Sequence, residues 1–488
     1  MQEIKKEISK KRLFIENFLI YGLGGVISRI IPLALLPLIT RLMPNTDYLG
    51  ISDMTNTITA FSTAFALLGM ADAVYRLFFE KEDYEYKKTI CSTALAFTLI
   101  MSIIVFFIMV FARDFLAVHC LKDIHNGNLV ILVAFTTVLG AANGIISAPT
   151  RMQNKKITYI LVNAVSSVLS YALAIPLLLW EHYTIALPVS ALIAIGTISV
   201  IFFILNRKWF DLKQFDKSIL KELLKIAVPL LPNFLVFWIF NTCDKYMITN
   251  MIGIGAEGVY GVGSKLGHVS QLIYTAFAGG WLFFAFSTMK DRDHVKTNSR
   301  IFEYLGIITF ITTLFVCALS YSVFVLLFED VYLEGFIVAP YLFLAPLLQM
   351  LFQTSASQFT IEKKTYYNTI FLTLGAGINI IANYYFIPIL GIEGAAIATV
   401  LGYLAALIPC VVFLIQKKLF VIPVRFLIAS VIFVLTFASW RLWLAHNVII
   451  ALVQVLVVFG IYIILYKQEI KSLFDSFAKK RSTRRSKA

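Results

Sequence analysis

The sequence predicts an all-α polytopic membrane protein of about fourteen transmembrane helices, built as two parallel six-helix repeats followed by a C-terminal helix pair. Three observations predict it. Of the 488 residues, 59% are hydrophobic and only 14% are charged, where a soluble domain carries about 25% charge. Apolar runs of about 20 residues, the length that crosses a bilayer, recur from end to end. Segments a little over 200 residues apart also resemble one another.

Taken in order, the apolar runs place helices at 14–42, 48–72, 89–112, 128–149, 157–180, 184–206, 222–251, 258–288, 299–328, 335–360, 366–389, 392–416, 421–441 and 447–466. Helices are expected because lipid offers backbone groups no partner outside the segment. A β-barrel would need alternating segments of about ten residues, and none of these runs alternates. The first run is long enough to remain as a helix, so no cleavable signal peptide is expected. The largest connections, "RDFLAVHCLKDIHNG" at 113–127 and "RKWFDLKQFDKSILK" at 207–221, are too short for a catalytic domain.

Lys and Arg set the expected orientation. With the N-terminus in the cytoplasm, 35 of the 42 fall in cytoplasmic segments. Arg41, Arg113, Lys122 and Arg441 fall on the opposite side, and Arg29, Lys245 and Lys265 fall within helices. Both termini are therefore expected in the cytoplasm. This asymmetry accounts for most of the +14 net charge without nucleic acid as a partner. The tail "KKRSTRRSKA" is read as topogenic or as a contact for anionic lipid. The five cysteines show no metal-ligand or redox spacing and are read as small apolar fillers.

The repeat is visible in "RMQNKKITYILVNAVSSVLSYALAIPLLL" from Arg151 and "FTIEKKTYYNTIFLTLGAGINIIANYYFIPIL" from Phe359. Lys155 and Lys363 are 208 positions apart, as are Gly50 and Gly258. The expected units are 1–220 (helices 1–6), 221–418 (helices 7–12), 419–466 (helices 13–14) and a basic tail at 467–488. Six is even, so both halves enter from the same side, a frequent transporter plan with the site between the halves. The first helix of each half carries two prolines, Pro32 and Pro37, then Pro229 and Pro232. Paired Pro-interrupted helices point to a moving, substrate-facing element.

Ionisable residues inside spans are costly, about 2.5–3.5 kcal/mol at the helix centre, and they locate the candidate site. Arg29, Arg41, Lys245 and Lys265 are read as a cationic cavity suited to an anionic substrate, with phosphate the usual anion. Asp53 and Asp244 are read as ion-coupling or gating residues. At 100° per residue, Asn233, Asn241 and Asp244 form a polar stripe on the seventh helix, and Lys265, His268 and Gln271 form one on the eighth. Arg41, Asp53, Asp244 and Lys245 are equally readable as interfacial snorkels or structural ion pairs. Asn379 and Asn383 read as interhelical glue.

"RIIPLALLPLITRLMPNTDYLGISD", "NTCDKYMITNMIGIGAEGVYGVGSK" and "INIIANYYFIPILGIEGAAIATVLGYL" resemble the polysaccharide-transport branch of the multidrug/oligosaccharidyl-lipid/polysaccharide (MOP) exporter superfamily, the Wzx-type flippases. The resemblance covers nearly the whole chain and implies a MATE-like fold in a bacterial inner membrane. It implies alternating access, and the turning of an undecaprenyl-pyrophosphate-linked oligosaccharide from the inner to the outer leaflet. It also implies membrane lipids around the substrate tail, a proton or sodium ion as the coupling ion, and a polysaccharide polymerase as a functional partner. Where the family motif has Asp-Arg, this chain has Asp244-Lys245, which keeps the charge but loses the bidentate fork. A lipid II flippase and a MATE-type drug antiporter are the alternatives. No cofactor and no enzyme activity are expected. No G-x-x-x-x-G-K loop occurs, and the one D-x-D, Asp291-Arg292-Asp293, falls in a cytoplasmic loop.

Overall fold

The computed structural model describes residues 30–469 and Lys471. Among them every regular element is helical. α1 is Ile30–Leu42, and Asn45 starts α2 (Thr46–Leu67) by accepting the Asp47 N–H on its side chain, an N-cap that satisfies one orphan donor. α3 (Met70–Phe78) continues the span, and α4 (Tyr84–Phe111) returns to a short surface helix, α5 (Arg113–Cys120). Then come α6 (Gly127–Ile146), α7 (Ala148–Met152), α8 (Lys156–Leu179) and α9 (Tyr183–Asn206).

The seventh predicted helix is three pieces, α10 (Lys217–Ala227), α11 (Leu231–Trp238) and α12 (Asp244–Met251). The eighth is two, α13 (Ile254–Gly267) and α14 (Ser270–Thr288). α15 (His294–Leu327), α16 (Gly335–Ile361), α17 (Tyr366–Leu390) and α18 (Ile392–Gln416) follow, and α19 (Val424–Ser439) and α20 (Val448–Leu465) close the chain.

Ten helices among the described residues are long and apolar enough to cross a bilayer, or twelve when each bent pair counts as one span. The expected fourteen also counts α1, a shorter apolar helix, and the broken α13–α14, neither of which is among the twelve. The chain is a multi-pass membrane protein. α16 is the enclosed centre, with 89% of its most apolar window buried, whereas α8 buries 11% and turns its apolar surface outward to lipid.

Two breaks have identifiable causes. α2 and α3 meet at 46°, where Leu68 (φ 47°) and Gly69 (φ 74°) both lie in the left-handed region. A Cβ at Gly69 would come within 2.9 Å of the Ala227 carbonyl oxygen, so that position needs glycine on both counts. The 217–230 and 234–251 segments meet at 45°, beside Pro232, whose missing N–H breaks the hydrogen-bond ladder. This is the bend that Pro229 and Pro232 announce. A π-turn over Ile239–Cys243 then shifts the register before α12. It undoes the stripe expected from regular helix geometry: Asn241 is exposed while Asp244 is buried.

Candidate functional site

The loops at 43–45, 112–126, 252–253 and 328–334 share the end of the bundle where Lys and Arg are sparse, here called the charge-poor end. There α2 and α13 touch backbone to backbone. A Cβ on Gly50 would stand 2.0 Å from the Ile254 carbonyl oxygen, and one on Gly258 would stand 2.2 Å from that of Thr46. Both lie far inside contact distance, so only glycine permits this approach, the small-residue packing of membrane helices. The contact is reciprocal: 46 and 254 differ by the same 208 positions as 50 and 258.

That closeness brings charges together. Two turns into α2, Asp53 Oδ1 accepts from Lys265 Nζ at 2.6 Å and Oδ2 from Lys245 Nζ at 3.2 Å. Asp53 is buried; the Lys245 side chain is 17% exposed and that of Lys265 36%. Lys245 Nζ also lies 3.7 Å from Glu257 Oε1. Glu257 is fully buried, and neither carboxylate oxygen has a hydrogen-bond donor among the described residues. Asp244 is satisfied differently. Its Oδ1 accepts the Lys245 N–H at 2.8 Å and its Oδ2 accepts the buried Tyr260 hydroxyl. Thr399 of α18 borders Tyr260 and accepts from Asn379 Nδ2 at 3.4 Å, and Asn379 Oδ1 accepts from Asn383 at 3.3 Å. Asn379 therefore ties α17 to α18, and Asn383 holds it from the next turn of α17.

A cavity of about 390 Å³ opens beside this cluster, lined by Ile30, Pro32 and Leu33 of α1 and by Lys265, His268, Val269 and Leu272. Lys265 thus faces two ways, onto Asp53 and into the cavity. The His268 ring Nδ1 contacts the Ser264 carbonyl at 2.8 Å and hydroxyl at 3.1 Å. A larger, almost wholly apolar cavity of about 530 Å³ lies between α2, α4, α5 and the α11–α12 segment.

Of the residues the sequence singles out, the structure unites Asp53, Asp244, Lys245 and Lys265. Arg41 does not join them: it is exposed, with Nη2 donating to the Leu327 carbonyl at 3.5 Å, at the C-terminus of α15 where a cation is favoured. Asn241 folds back onto the Phe237 carbonyl at 2.6 Å, and half-buried Gln271 lies outside the cavity lining. Pro32 lines the cavity, and Pro37 offers its carbonyl to Thr40 within α1. Arg29 and the side chain of Asn233 lie outside the described residues. Glu257 was not foreseen. It reverses the expected balance, because the described cluster holds three carboxylates against two ammoniums rather than an excess of cations.

Two further clusters were also missed. Arg425 Nε and Nη2 donate to Glu303 at 2.6 and 3.1 Å, and Arg425 also pairs with Glu469. Arg441 Nη2 donates to Glu393 at 2.7 Å, and the Tyr341 hydroxyl donates to the same carboxylate at 2.9 Å. No group of three or more His, Cys, Asp or Glu side chains poised for a metal occurs among the described residues. The cysteines are free, and all but Cys243 are buried.

A family described as "Polysaccharide biosynthesis protein" matches residues 14–290. No curated protein sequence matches the chain. Among solved structures, a lipid II flippase MurJ in an inward closed conformation superposes with a TM-score of 0.71 at 16% identity, covering 93% of this chain and 100% of that one. An inward-facing multidrug resistance MATE family transporter of the MOP superfamily gives 0.61 at 15%, covering 80% and 97%. An outward-facing one gives 0.58 at 14%, covering 83% and 95%. At these identities the likeness is one of fold.

Proposed function

We propose that this chain, which belongs to the polysaccharide biosynthesis protein family, is a flippase for undecaprenyl-pyrophosphate-linked oligosaccharides. It turns them from the cytoplasmic to the outer leaflet of a bacterial inner membrane by alternating access, for the export of a capsule, exopolysaccharide or O-antigen unit. The charge-poor end is then the outer end and both termini are cytoplasmic, as the Lys and Arg asymmetry requires.

The observation that carries this reading is the double engagement of Lys265. Its ammonium holds Asp53 across the α2–α13 contact while a third of its side chain is open to the cavity beside α1. A pyrophosphate entering that cavity competes with Asp53 for the same cation. Binding of the anion thereby loosens the contact that shuts the outer end, which is the coupling an exporter needs. The work is translocation, and no residue of the cluster is assigned a catalytic step.

The lipid II flippase remains the second reading, favoured by the match to the full length of that fold. Proteoliposomes separate the two. Fluorescent undecaprenyl-pyrophosphate oligosaccharide and fluorescent lipid II are each loaded on one leaflet, and their arrival on the other is followed by a membrane-impermeant quencher. The expected outcome is movement of the first, reduced at least tenfold by Lys265→Ala at equal reconstitution. Movement of lipid II alone establishes the second reading, and movement of neither overturns both.

A further inference from the structure

Glu257 is the acid in the shut contact that has no answering donor among the described residues. Each Asp53 oxygen meets an ammonium, and each Asp244 oxygen accepts a hydrogen bond, from the Lys245 N–H and from Tyr260. Both residues thereby have a partner on each oxygen. Glu257 is fully enclosed, its two oxygens receive no hydrogen bond, and its nearest cation, Lys245, is already bound by Asp53. The charges facing it are Asp53 from α2, Asp244 and Lys245 from α12, and Lys265 from its own helix. Tyr171 of α8 lies within electrostatic range of Asp53, and Tyr403 of α18 within that of Asp244. Three carboxylates against two ammoniums leave one negative charge uncompensated among the described residues, in a place where an ion without partners is strongly disfavoured.

We infer that Glu257 carries a proton while the charge-poor end is shut and releases it to water when α13 leaves α2, which makes it a pH-sensitive latch on that end. The step is simple: the carboxyl O–H breaks, water takes the proton, and the exposed carboxylate is stabilised by hydration. A proton suits the site better than sodium. A sodium ion needs several converging oxygens, whereas here an ammonium stands 3.7 Å from the carboxylate and repels a second cation. Because the shut state binds one proton more than the open state, acid favours shutting and alkali favours opening. The ratio of shut to open falls about tenfold per pH unit for one proton.

The inference rests on the gate assigned under the flippase reading, but its test does not require a lipid-linked sugar. Spin labels at His125→Cys and Asp330→Cys, in a chain whose native cysteines are replaced, report the separation across the charge-poor end in nanodiscs. In the parent chain the short separation is expected at low pH and the long one at high pH. In Glu257→Gln the short separation is expected at every pH. Infrared difference spectra of the wild-type chain give a second measure, independent of how the variant folds. A protonated-carboxyl band should be present at low pH and bleach as the end opens. A Glu257→Gln chain that follows pH as the parent does, a missing carboxyl band in the wild type, or a separation that follows sodium instead of pH would each overturn the inference. If the separation follows pH while lipid-linked oligosaccharide does not move, the flippase reading fails and the proton site stands.

Discussion

Asp53 is the residue on which the shut end leans most, because two cations from the far side of the contact converge on it. Removing the acid from such a buried arrangement strands both ammoniums, at a cost of about 3–5 kcal/mol. The side chain of Lys265 is one-third exposed, so water compensates part of that, and we take the lower end, about 3 kcal/mol. Asp53→Asn should therefore shift the shut-to-open ratio by roughly a hundredfold toward open, seen as a long separation between labels at positions 125 and 330 at all pH values. A short separation in that variant would show that the glycine contact alone holds the end. At this scale the sequence is informative where a charge interrupts an apolar run, and so Asp53, Asp244, Lys245 and Lys265 are legible. Glu257 is not, because "GIGAEG" reads as a turn, and only the early start of α13 at Ile254 carries it into the bundle. Arg41 misleads for the opposite reason. Its long side chain leaves the helix end for the α15 carbonyl, a choice that local spacing does not encode. One signal for the site was available: two glycines at matched repeat positions, Gly50 and Gly258, mark a close approach that a large side chain would forbid.

At the scale of elements, α2 and α13 form a contact surface that steric substitution should split. A β-branched residue at 258 has no free volume, with the Thr46 carbonyl oxygen 2.2 Å from the Cβ position and the Gly50 nitrogen 3.1 Å from it. Gly258→Val should open the charge-poor end without removing any charge, and the label pair at 125 and 330 checks it by a long separation at low pH. Because Glu257 is then hydrated, the pH response seen in the parent chain should also vanish. A variant that stays shut would place the hinge elsewhere. Helix positions are otherwise read well from hydropathy: 392–416 is α18 to the residue, and 366–389 falls one short of α17. What hydropathy does not resolve is the breaking of helices. The 45° bend at Pro232 is visible as proline, but the 46° bend at Leu68 and Gly69 rests on a leucine in the left-handed region, which its side chain disfavours by roughly 1–2 kcal/mol. Tertiary packing imposes that geometry on a stretch that reads as continuous helix. The π-turn at 239–243 is likewise invisible, and it decides that Asp244 rather than Asn241 turns inward.

For the whole molecule, α19 and α20 are fastened to the second half of the bundle at both ends, which predicts how they move. Arg425 at the start of α19 binds Glu303 of α15 with two hydrogen bonds, and the Tyr466 hydroxyl donates to the same acid at 2.8 Å. At the far end Arg441 binds Glu393 at the start of α18. Between them the Tyr462 hydroxyl donates to the Ala429 carbonyl at 2.8 Å, tying α20 to α19, and Phe433 stacks on Phe310 of α15 at 4.6 Å. Bidentate Arg–carboxylate pairs fix orientation as well as distance, so two of them at opposite ends leave α19 little freedom to slide or tilt against α15 and α18. The contact of α2 with α13 is of the other kind: glycine surfaces with one charged clasp, closely fitted but free to part. Motion should therefore concentrate at the second contact and spare the first. Labels at Leu435→Cys on α19 and Ile308→Cys on α15, both facing outward, should keep one separation across the pH range that moves the pair at 125 and 330. In Arg425→Met with Arg441→Met the same labels should broaden into several separations, because Glu303 and Glu393 lose their bidentate partners. If the 435–308 separation instead changes in step with the 125–330 pair, the C-terminal helices are a moving part in their own right and the two arginine clasps do not fix them to α15 and α18.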